Sequence, residues 1–223
     1  MRLAINGISG KMGSYLYNYL KERNDWQVVC GLSRQNLDLP IPIYKDIKSC
    51  LENEQFDTLI DFTHYPSCLE VVKQAIIHNI NVVSGTTGYK KYDEKLIKYL
   101  ATKHNVGVVI SPNFSLLSQD IADLIYQIKK LFPYCEIIET HGIHKKDKPS
   151  GTAKYFANLM NLDYAYIHSV RLPGIIADHT LTFADEYQSL TITHRINNRQ
   201  AFITGIEKAI IDVTNLKKVE ILI

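Results

Sequence analysis

Two rhythms of hydrophobic and polar positions divide the chain. Up to about residue 131, short apolar runs bounded by turn residues alternate with helical patterns. The apolar runs are RLAIN, WQVVCGL, DTLIDF, NVVSG and VGVVI, and the helical patterns cover 11–23, 46–53, 66–78, 91–103 and 115–131. This alternation is typical of a parallel sheet with helices on both faces, which predicts an N-terminal α/β domain.

From about residue 134, strand-like runs follow one another instead. The runs CEIIETHG, YIHSVRLPG, DHTLTFAD and SLTITHRI mostly alternate with period two, and one helical pattern at 151–161 interrupts them. Strands in succession predict a smaller α+β domain with a mixed sheet. The boundary near 113 rests on this change of rhythm, and the helical pattern at 198–212 and the terminal KKVEILI could belong to either domain.

Composition narrows the class of protein. With 46% hydrophobic and 22% charged residues, the chain resembles ordinary globular proteins, and a net charge of +2 argues against a nucleic-acid partner. The N-terminus enters a strand pattern at once, and no apolar run approaches the ~18 residues of a membrane span, so we expect a cytoplasmic protein without membrane contact. Four widely spaced cysteines without a CxxC pair predict buried free thiols.

A glycine-rich loop follows the first predicted strand. INGISGKMG places Gly7, Gly10 and Gly13 at the start of the first helix. Glycines there allow a tight turn and let the backbone approach a pyrophosphate, and the helix N-terminus offers unpaired N–H groups. The spacing is GxxGxxG instead of the commoner GxGxxG, and a turn without a ligand is the alternative. The order of strand, glycines, helix and strand favours a Rossmann-type dinucleotide site.

Residues after later strands add to this interpretation. Ser33 and Arg34 follow the second strand, where a site for NAD alone normally has a carboxylate. A hydroxyl and a guanidinium suit a 2′-phosphate, so NADPH is preferred over NADH, although Arg34 could also be a solvated loop charge. The loops SGTTG (84–88) and SPNFS (111–115) lie at strand ends and indicate either a nicotinamide crevice or plain turns.

The stretch HGIHKKDKPSGTA, residues 141–153, concentrates positive charge on a chain that is nearly neutral. His141 is of a type that titrates near neutral pH, and Lys145 is either a cation for a carboxylate or a proton donor. Gly151 and Thr152 begin a predicted helix, whose free N–H groups receive a carboxylate oxygen, and Ser150 could be its N-cap. These features favour a small polycarboxylate that is reduced.

A metal site is the alternative for the same stretch. His141, His144 and Asp147 are ligand types, but three lysines close by disfavour a cation, so we predict no metal here.

Several motifs together resemble the 4-hydroxy-tetrahydrodipicolinate (dihydrodipicolinate) reductase family of diaminopimelate and lysine biosynthesis. They are GxxGxMG, IDFT at 60–63, SGTTG, SPNFS and above all ETHGIHKKDKPSGTA, in the family's order. The similarity continues in RLPGIIADHTLTF and ITHRINNRQAFITGIEKAI, so it covers almost the whole chain. The 139–153 motif is much more specific than the glycine loop.

The resemblance implies roles for individual residues. His141 would be the catalytic acid/base and Lys145 the proton donor, while Gly151 and Thr152, with Ser150 beside them, would bind a substrate carboxylate. Three groups would bind the cofactor: Gly7, Ile8, Ser9, Gly10, Lys11 and Met12 at the pyrophosphate, Ser33 and Arg34 at the adenosine ribose, and Gly85, Thr86, Thr87, Ser111, Pro112, Asn113 and Phe114 at the nicotinamide.

The resemblance also implies an architecture and a reaction. A dinucleotide-binding domain of 1–112 would be completed by about 199–223, and 113–198 would bind substrate and assemble a homotetramer. The reaction would be NAD(P)H-dependent reduction of 4-hydroxy-tetrahydrodipicolinate, a small dicarboxylate, with NADPH preferred and NADH second. Two alternatives are another two-domain NAD(P)-dependent amino-acid dehydrogenase and a non-catalytic, nucleotide-sensing relative.

The chain departs from the family pattern in two ways. The family normally has a second histidine directly after the first, where this chain has Gly142. In the family that histidine normally helps to hold the substrate, so the resemblance leaves the strength of substrate binding open for this chain. The chain is also short for the family, which predicts trimmed loops.

Overall fold

The computed structural model describes residues 1–115, 117–215 and 217–222, and the side chains of 117–120 are not described. Leu116, in the predicted helix 115–131, and Leu216 and Ile223, in the predicted terminal region, lie outside the described residues. The chain forms two compact units, Met1–Pro112 with Ile206–Ile223, and Asn113–Gly205. The functions assigned to the two domains stay predictions.

The first unit contains a seven-stranded parallel sheet. Its strands are β1 Arg2–Asn6, β2 Gln27–Leu32, β3 Ile43–Tyr44, β4 Thr58–Asp61, β5 Asn81–Ser84, β6 Val108–Ile110 and β11 Val219–Ile221, in the spatial order β11-β6-β5-β4-β1-β2-β3. Its helices are α1 Lys11–Leu20, α2 Ile47–Asn53, α3 Ser67–Ile77, α4 Lys91–His104 and most of α7 Gln200–Asn215. The two-residue strand β3 was not expected from the sequence.

The central strands of this unit are continuous apolar runs in the sequence because they are buried on both faces of the sheet. Every residue of β4, β5 and β6 is buried. Strand β1 pairs with β2 on one side and with β4 on the other, so the strand order reverses at β1. In open α/β sheets such a switch point creates a crevice at the carboxyl ends of the strands, and the glycine loop and the IDFT stretch both lie at these ends.

The second unit contains a four-stranded mixed sheet. Its strands are β7 Tyr134–His141, β8 Ile167–Arg171, β9 Ala177–Ala184 and β10 Ser189–Ile196, in the order β10-β9-β7-β8, with only β7 and β8 parallel. Its helices are α5 Leu117–Lys129, α6 Gly151–Leu159 and a 3₁₀-helix at Tyr164–Tyr166. The predicted fold class, a Rossmann-type parallel sheet plus a smaller α+β mixed-sheet domain, is confirmed.

Alternating burial positions the second sheet against its helices. Strand β9 is alternately buried and half-buried along its whole length. Its inward residues Leu181 and Phe183 join Ile137 of β7, Ile125 of α5 and Phe156 of α6 in one hydrophobic core. The same alternation places His141 and His179 on the buried side of their strands, next to the start of α6.

The four cysteines are free and buried, as predicted. The Sγ atoms of Cys30 and Cys50 lie 3.4 Å apart in the core of the first unit. Within the described ranges, no helix is both long enough and apolar enough to span a membrane.

Candidate active site

The glycine loop of the first unit has a backbone that side chains would obstruct. Gly7 has a φ of +81°, and a Cβ there would lie 2.7 Å from the carbonyl oxygen of Phe62. A Cβ at Gly13 would lie 2.2 Å from the carbonyl oxygen of Gly7, so α1 packs directly on the loop. Gly10 is the N-cap residue of α1, and no side chain in the described part of the chain caps this helix. The loop therefore fits a pyrophosphate at the helix N-terminus.

Ser33 connects the end of β2 to this loop. Its buried hydroxyl donates to Oγ of Ser9 at 2.9 Å and accepts from the backbone N–H of Gln35 at 3.0 Å. Arg34 is exposed next to it. The structure thus places Ser33 beside the predicted pyrophosphate loop, with a cationic side chain at its edge.

Asp61, at the end of β4, is a buried carboxylate that the sequence analysis did not single out. Its Oδ1 accepts from Asn6 Nδ2 at 2.8 Å and from Thr63 Oγ1 at 2.6 Å. Its Oδ2 accepts from Ser84 Oγ at 2.7 Å and from Thr86 Oγ1 at 2.6 Å. One carboxylate therefore fixes the ends of β1, β4 and β5, where the predicted cofactor loops begin.

The remaining predicted cofactor residues follow β5 and β6. A Cβ at Gly85 would overlap the ring of Phe62 at 2.2 Å, and the N–H of Ser111 donates to the carbonyl oxygen of Ser84 at 3.0 Å. Gly85, Thr86 and Thr87 thus lie beside Ser111 and Pro112 in the first unit.

Asn113 and Phe114 belong to the second unit. Asn113 Oδ1 accepts from the N–H of Ser115 at 2.8 Å, and Phe114 is buried.

In the second unit, His141 is bound to a buried carboxylate. Its Nδ1 lies 2.5 Å from Oε2 of Glu139, two residues earlier on the same side of β7. The Glu139 side chain is fully buried and that of His141 is 8% exposed. Because the ionised carboxylate only accepts hydrogen bonds, Nδ1 donates, and Nε2 of a neutral ring is an acceptor.

Arg171, at the end of β8, pairs with the same carboxylate through two nitrogens. Its Nη2 lies 2.8 Å from Oε1 of Glu139, and its Nη1 lies 3.0 Å from Oε2. Burial raises the pKa of Glu139, but hydrogen bonds from His141 and Arg171 outweigh burial and lower it to about 2. Glu139 is therefore ionised at neutral pH.

The loop after β7 carries Lys145 in an ion pair. Its Nζ lies 2.9 Å from Oδ1 of Asp147, and both side chains are about one third exposed. The N–H of Lys145 donates to the carbonyl oxygen of Gly142 at 3.0 Å, which closes a turn directly after His141. The predicted proton donor thus lies in the turn directly after the predicted acid/base.

Helix α6 begins beside this turn. Ser150 is its N-cap residue, and its Oγ accepts from the N–H of Ala153 at 3.3 Å. The same Oγ lies 3.2 Å from Nε2 of His179. Gly151 and the buried Thr152 form the first turn of the helix, where the sequence predicts a carboxylate site.

His179 is a buried residue of the site that the sequence analysis missed. Its ring contacts that of His141 edge-on, with 5.3 Å between the ring centres. Burial lowers the pKa of His179 to about 3, so its ring is neutral at neutral pH. Glu139, Arg171 and His179 all lie in stretches that carry the family resemblance, but their contacts depend on strand pairing.

The alternative interpretation of this stretch was a metal site formed by His141, His144 and Asp147. Over residues 1–115, 117–215 and 217–222, no group of three or more histidine, cysteine, aspartate or glutamate side chains is arranged to hold a metal ion.

The fold and the two sites define the class of protein. A Rossmann-type sheet with a glycine loop, and a second unit that combines histidine, lysine and a helix N-terminus, are the parts of a two-domain nicotinamide-dependent oxidoreductase. Two family models match almost the whole chain: the N-terminus of dihydrodipicolinate reductase at residues 1–114 and its C-terminus at residues 114–221. The chain belongs to the dihydrodipicolinate reductase family, as the resemblance predicted.

Individual relatives agree with the family models. The chain is similar to the 4-hydroxy-tetrahydrodipicolinate reductase of Methanocaldococcus jannaschii, with 30% identity over 98% of this chain and 94% of the relative. It is also similar to the 4-hydroxy-tetrahydrodipicolinate reductase of Oceanobacillus iheyensis, with 30% identity over 98% of this chain and 96% of the relative. The first alignment spans 257 positions, more than the 223 residues of this chain, so that relative has residues that this chain lacks.

Solved structures show the same similarity. A dipicolinate-bound dihydrodipicolinate reductase from Paenisporosarcina sp. TG-14 is 26% identical, covers 100% of this chain and 98% of its own, and superposes with a TM-score of 0.80. A myo-inositol 2-dehydrogenase from Lactobacillus plantarum, 12% identical over 98% of this chain and 90% of its own, superposes with a TM-score of 0.64 and shows the fold alone.

Proposed function

We propose that this chain reduces 4-hydroxy-tetrahydrodipicolinate to tetrahydrodipicolinate in diaminopimelate and lysine biosynthesis, with NADPH preferred over NADH. Family membership supports the reaction and the use of a nicotinamide cofactor. The observation that carries the proposal for this chain is the group formed by His141, Lys145 and the N-terminus of α6 in one unit.

The start of α6 suits one carboxylate of the substrate. The first N–H groups of a helix lack partners within the helix and carry a partial positive charge. Gly151 has no side chain, which leaves the backbone accessible, and Thr152 adds a hydroxyl. Lys145 brings a cation to the loop that leads into this helix, so a dicarboxylate would meet positive charge from both.

His141 and Lys145 would carry out the proton transfers of the reaction. Loss of the substrate hydroxyl as water leaves a conjugated cyclic imine, and the bound reduced nicotinamide supplies the hydride that this imine accepts. Because Glu139 occupies Nδ1 of His141, Nε2 is the nitrogen that would exchange a proton with the substrate. Lys145 would donate the proton that is added beside the new C–H bond.

The cofactor would be held by the ends of the parallel strands. The glycine loop would receive the pyrophosphate at α1, and Ser33 with Arg34 would meet the adenosine ribose. A guanidinium suits a 2′-phosphate, which supports the preference for NADPH. The loops at 85–87 and 111–114 would flank the nicotinamide, with Asp61 holding the first of them in place.

A homotetramer built on the second unit is part of this proposal. One face of its four-stranded sheet carries Tyr134 and Ile138, 67% and 45% exposed. Hydroxyl pairs lie on the same face, Thr180 with Thr193 and Thr182 with Thr191. Sedimentation velocity would test the assembly, and a monomer at micromolar concentration would contradict it.

The activity is tested by following the absorbance of NADPH with freshly made 4-hydroxy-tetrahydrodipicolinate. The proposal expects substrate-dependent oxidation of NADPH, inhibited by dipicolinate. An amino-acid dehydrogenase would instead reduce NADP⁺ with an amino acid, and a nucleotide sensor would bind NADPH without turnover. Either of these results would contradict the proposal.

A further inference from the structure

The carboxylate of Glu139 contacts three separate parts of the candidate active site. Its Oε2 binds Nδ1 of His141 at 2.5 Å, and its Oε1 accepts from the backbone N–H of Ser150 at 3.3 Å. Both oxygens also bind the guanidinium of Arg171. One fully buried side chain therefore connects the predicted acid/base with the N-cap of the helix predicted to bind a substrate carboxylate.

Arg171 extends these connections to the loop that carries Lys145. Its Nε donates to the carbonyl oxygen of Lys145 at 3.2 Å, and its Nη2 donates to the carbonyl oxygen of Asp147 at 2.6 Å. The guanidinium therefore holds two backbone positions of the loop and the carboxylate of Glu139 at the same time. A lysine could not reproduce this planar fork of donors.

Stability alone is a poor explanation for such a pair. Two charges taken out of water lose hydration, and apolar residues of similar volume often stabilise a fold equally well. The pair instead defines geometry, because each of its contacts fixes a group that the proposed reaction uses. Glu139 also fixes chemistry, since a carboxylate accepts only from a protonated Nδ1 and so leaves Nε2 of the neutral ring as a base.

We propose that Glu139 and Arg171 are positioning residues for the reduction: Glu139 selects the tautomer and orientation of His141, and Arg171 fixes Glu139 and the Lys145 loop. The proposal rests on the proposed function. It predicts that the buried pair affects turnover through His141 and Lys145, beyond any effect on folding.

Two variants separate positioning from simple neutralisation of charge. Glu139→Gln leaves Arg171 buried without its partner, whereas Glu139→Gln with Arg171→Met removes both charges. We expect kcat to fall about 10²-fold in both, the usual cost of misplacing a reacting group, while the melting temperature recovers in the double variant and the KM for NADPH stays unchanged. Recovery of kcat together with stability in the double variant would overturn the proposal.

Asp178→Asn is a matched control. Oδ2 of Asp178 accepts from Nε of Arg195 at 2.8 Å across two strands of the same sheet, and the side chains of Arg195 and Asp178 are 61% and 16% exposed. Loss of this ion pair should leave kcat within about twofold of wild type, because a pair at the protein surface with an exposed partner contributes little. Arg171→Lys is a second test, because it keeps the positive charge but loses the planar fork of donors. We expect kcat to fall in this variant as well. Near-normal turnover of a folded Arg171→Lys protein would contradict the positioning role of Arg171.

A spectroscopic measurement works even if the chain does not turn over the proposed substrate. Imidazole ¹⁵N shifts distinguish the two neutral tautomers, and the proposal expects Nδ1–H for His141 in the wild type. In Glu139→Gln the amide can both donate and accept, so the tautomer should become mixed. An Nε2–H tautomer in the wild type, or an unchanged spectrum in the variant, would reject the role of Glu139 whether or not the reductase activity is found.

Discussion

The ammonium nitrogen of Lys145 lies 2.9 Å from Oδ1 of Asp147, in the loop that joins β7 to the start of α6. The carbonyl oxygens of both residues accept from Arg171, so the backbone of this loop is held as well as its side chains. The ion pair with Asp147 places the ammonium of the predicted proton donor in this loop, directly after His141.

Replacing Lys145 with Ala should lower kcat by about 10²- to 10⁴-fold, the usual contribution of a positioned acid or base. The measurement is steady-state oxidation of NADPH with the cyclic substrate. Lys148→Ala, an exposed lysine of the same loop, is the matched control and should retain nearly full turnover. Near-normal turnover of a folded Lys145→Ala protein would show that another group donates the proton.

His179 should make the protein less stable in mild acid. The folded protein keeps this ring neutral down to about pH 3, whereas the unfolded chain takes up a proton near 6.5. The contribution of His179 to the free energy of unfolding is therefore fully present above pH 6.5 and is lost as the pH falls below this value. Between pH 6.5 and 4.5 the free energy of unfolding should drop by about 2 kcal/mol because of this residue.

Urea unfolding of wild type and His179→Gln at these two pH values tests this expectation. Burial also lowers the pKa of the neighbouring His194, which acts in the same direction, so part of the drop should persist in the variant. The pKa of Glu139 is lowered from 4.5 to about 2, so its contribution to stability is lost mainly as the pH falls below 4.5. His78→Gln, at an exposed position, should behave as wild type, and an equal drop in His179→Gln would exclude His179 as the cause.

Most of the fold follows from local patterns in the sequence. The alternation of apolar runs and helical patterns predicted the parallel sheet, and period-two runs predicted the mixed sheet, because burial on two faces or on one leaves these periods. The strand β3 could not be predicted in this way, since its two residues are too few to show a period. The helix predicted at 198–212 runs from Gln200 to Asn215, which shows how weakly patterns define helix ends.

The candidate site likewise contains residues that a local motif predicts and residues that only the folded structure brings together. His141, Lys145 and Ser150 lie within ten residues, so a local motif marks them as candidates, and the family resemblance supplies their predicted roles. Glu139 and Arg171 are 32 positions apart and meet only because β7 and β8 pair in parallel, with His141 opposite Arg171. The hydrogen bonds of Asp61 likewise join residues up to 55 positions away. Such contacts follow from strand register, which a single sequence does not reveal.

Arg34→Ala should distinguish the two nicotinamide cofactors. A guanidinium next to Ser33 suits a 2′-phosphate, so its loss should weaken NADPH binding by about 1.5 to 3 kcal/mol and change NADH much less. Dissociation constants for both cofactors, from fluorescence titration, measure the difference. Lys48→Ala removes an exposed cation elsewhere in the first unit and should change neither. Equal losses for NADPH and NADH would contradict the assignment.

Gly142 occupies the position where the family resemblance implies a second histidine, and the structure defines what a side chain would meet there. Gly7, Gly88 and Gly174 are the glycines of the described residues with left-handed backbone, so Gly142 has a conformation open to other residues. A Cβ at Gly142 would lie 3.1 Å from the carbonyl oxygen of Ile175, which must move by a few tenths of an ångström. Backbone strain is therefore no obstacle to histidine.

Gly142→His should therefore give a working enzyme with a lower KM for the cyclic substrate. A ring N–H beside a substrate carboxylate adds a hydrogen bond to a charged group, worth about 1.5 to 3 kcal/mol, or roughly ten- to a hundredfold in affinity, unless a bridging water already supplies it. The change should appear mainly in KM, because this bond would form in the ground state and the transition state alike. Steady-state kinetics and melting temperatures measure both effects.

Gly142→Ala is the matched control, since it adds only the Cβ that meets Ile175. Its KM should stay at the wild-type value or rise slightly, which separates the cost of the backbone shift from the gain of the ring. A Gly142→His protein that melts like wild type but has an unchanged or higher KM would show that another group already binds this carboxylate. His144 and Lys146, both exposed in the same loop, are the side chains to replace next in that event.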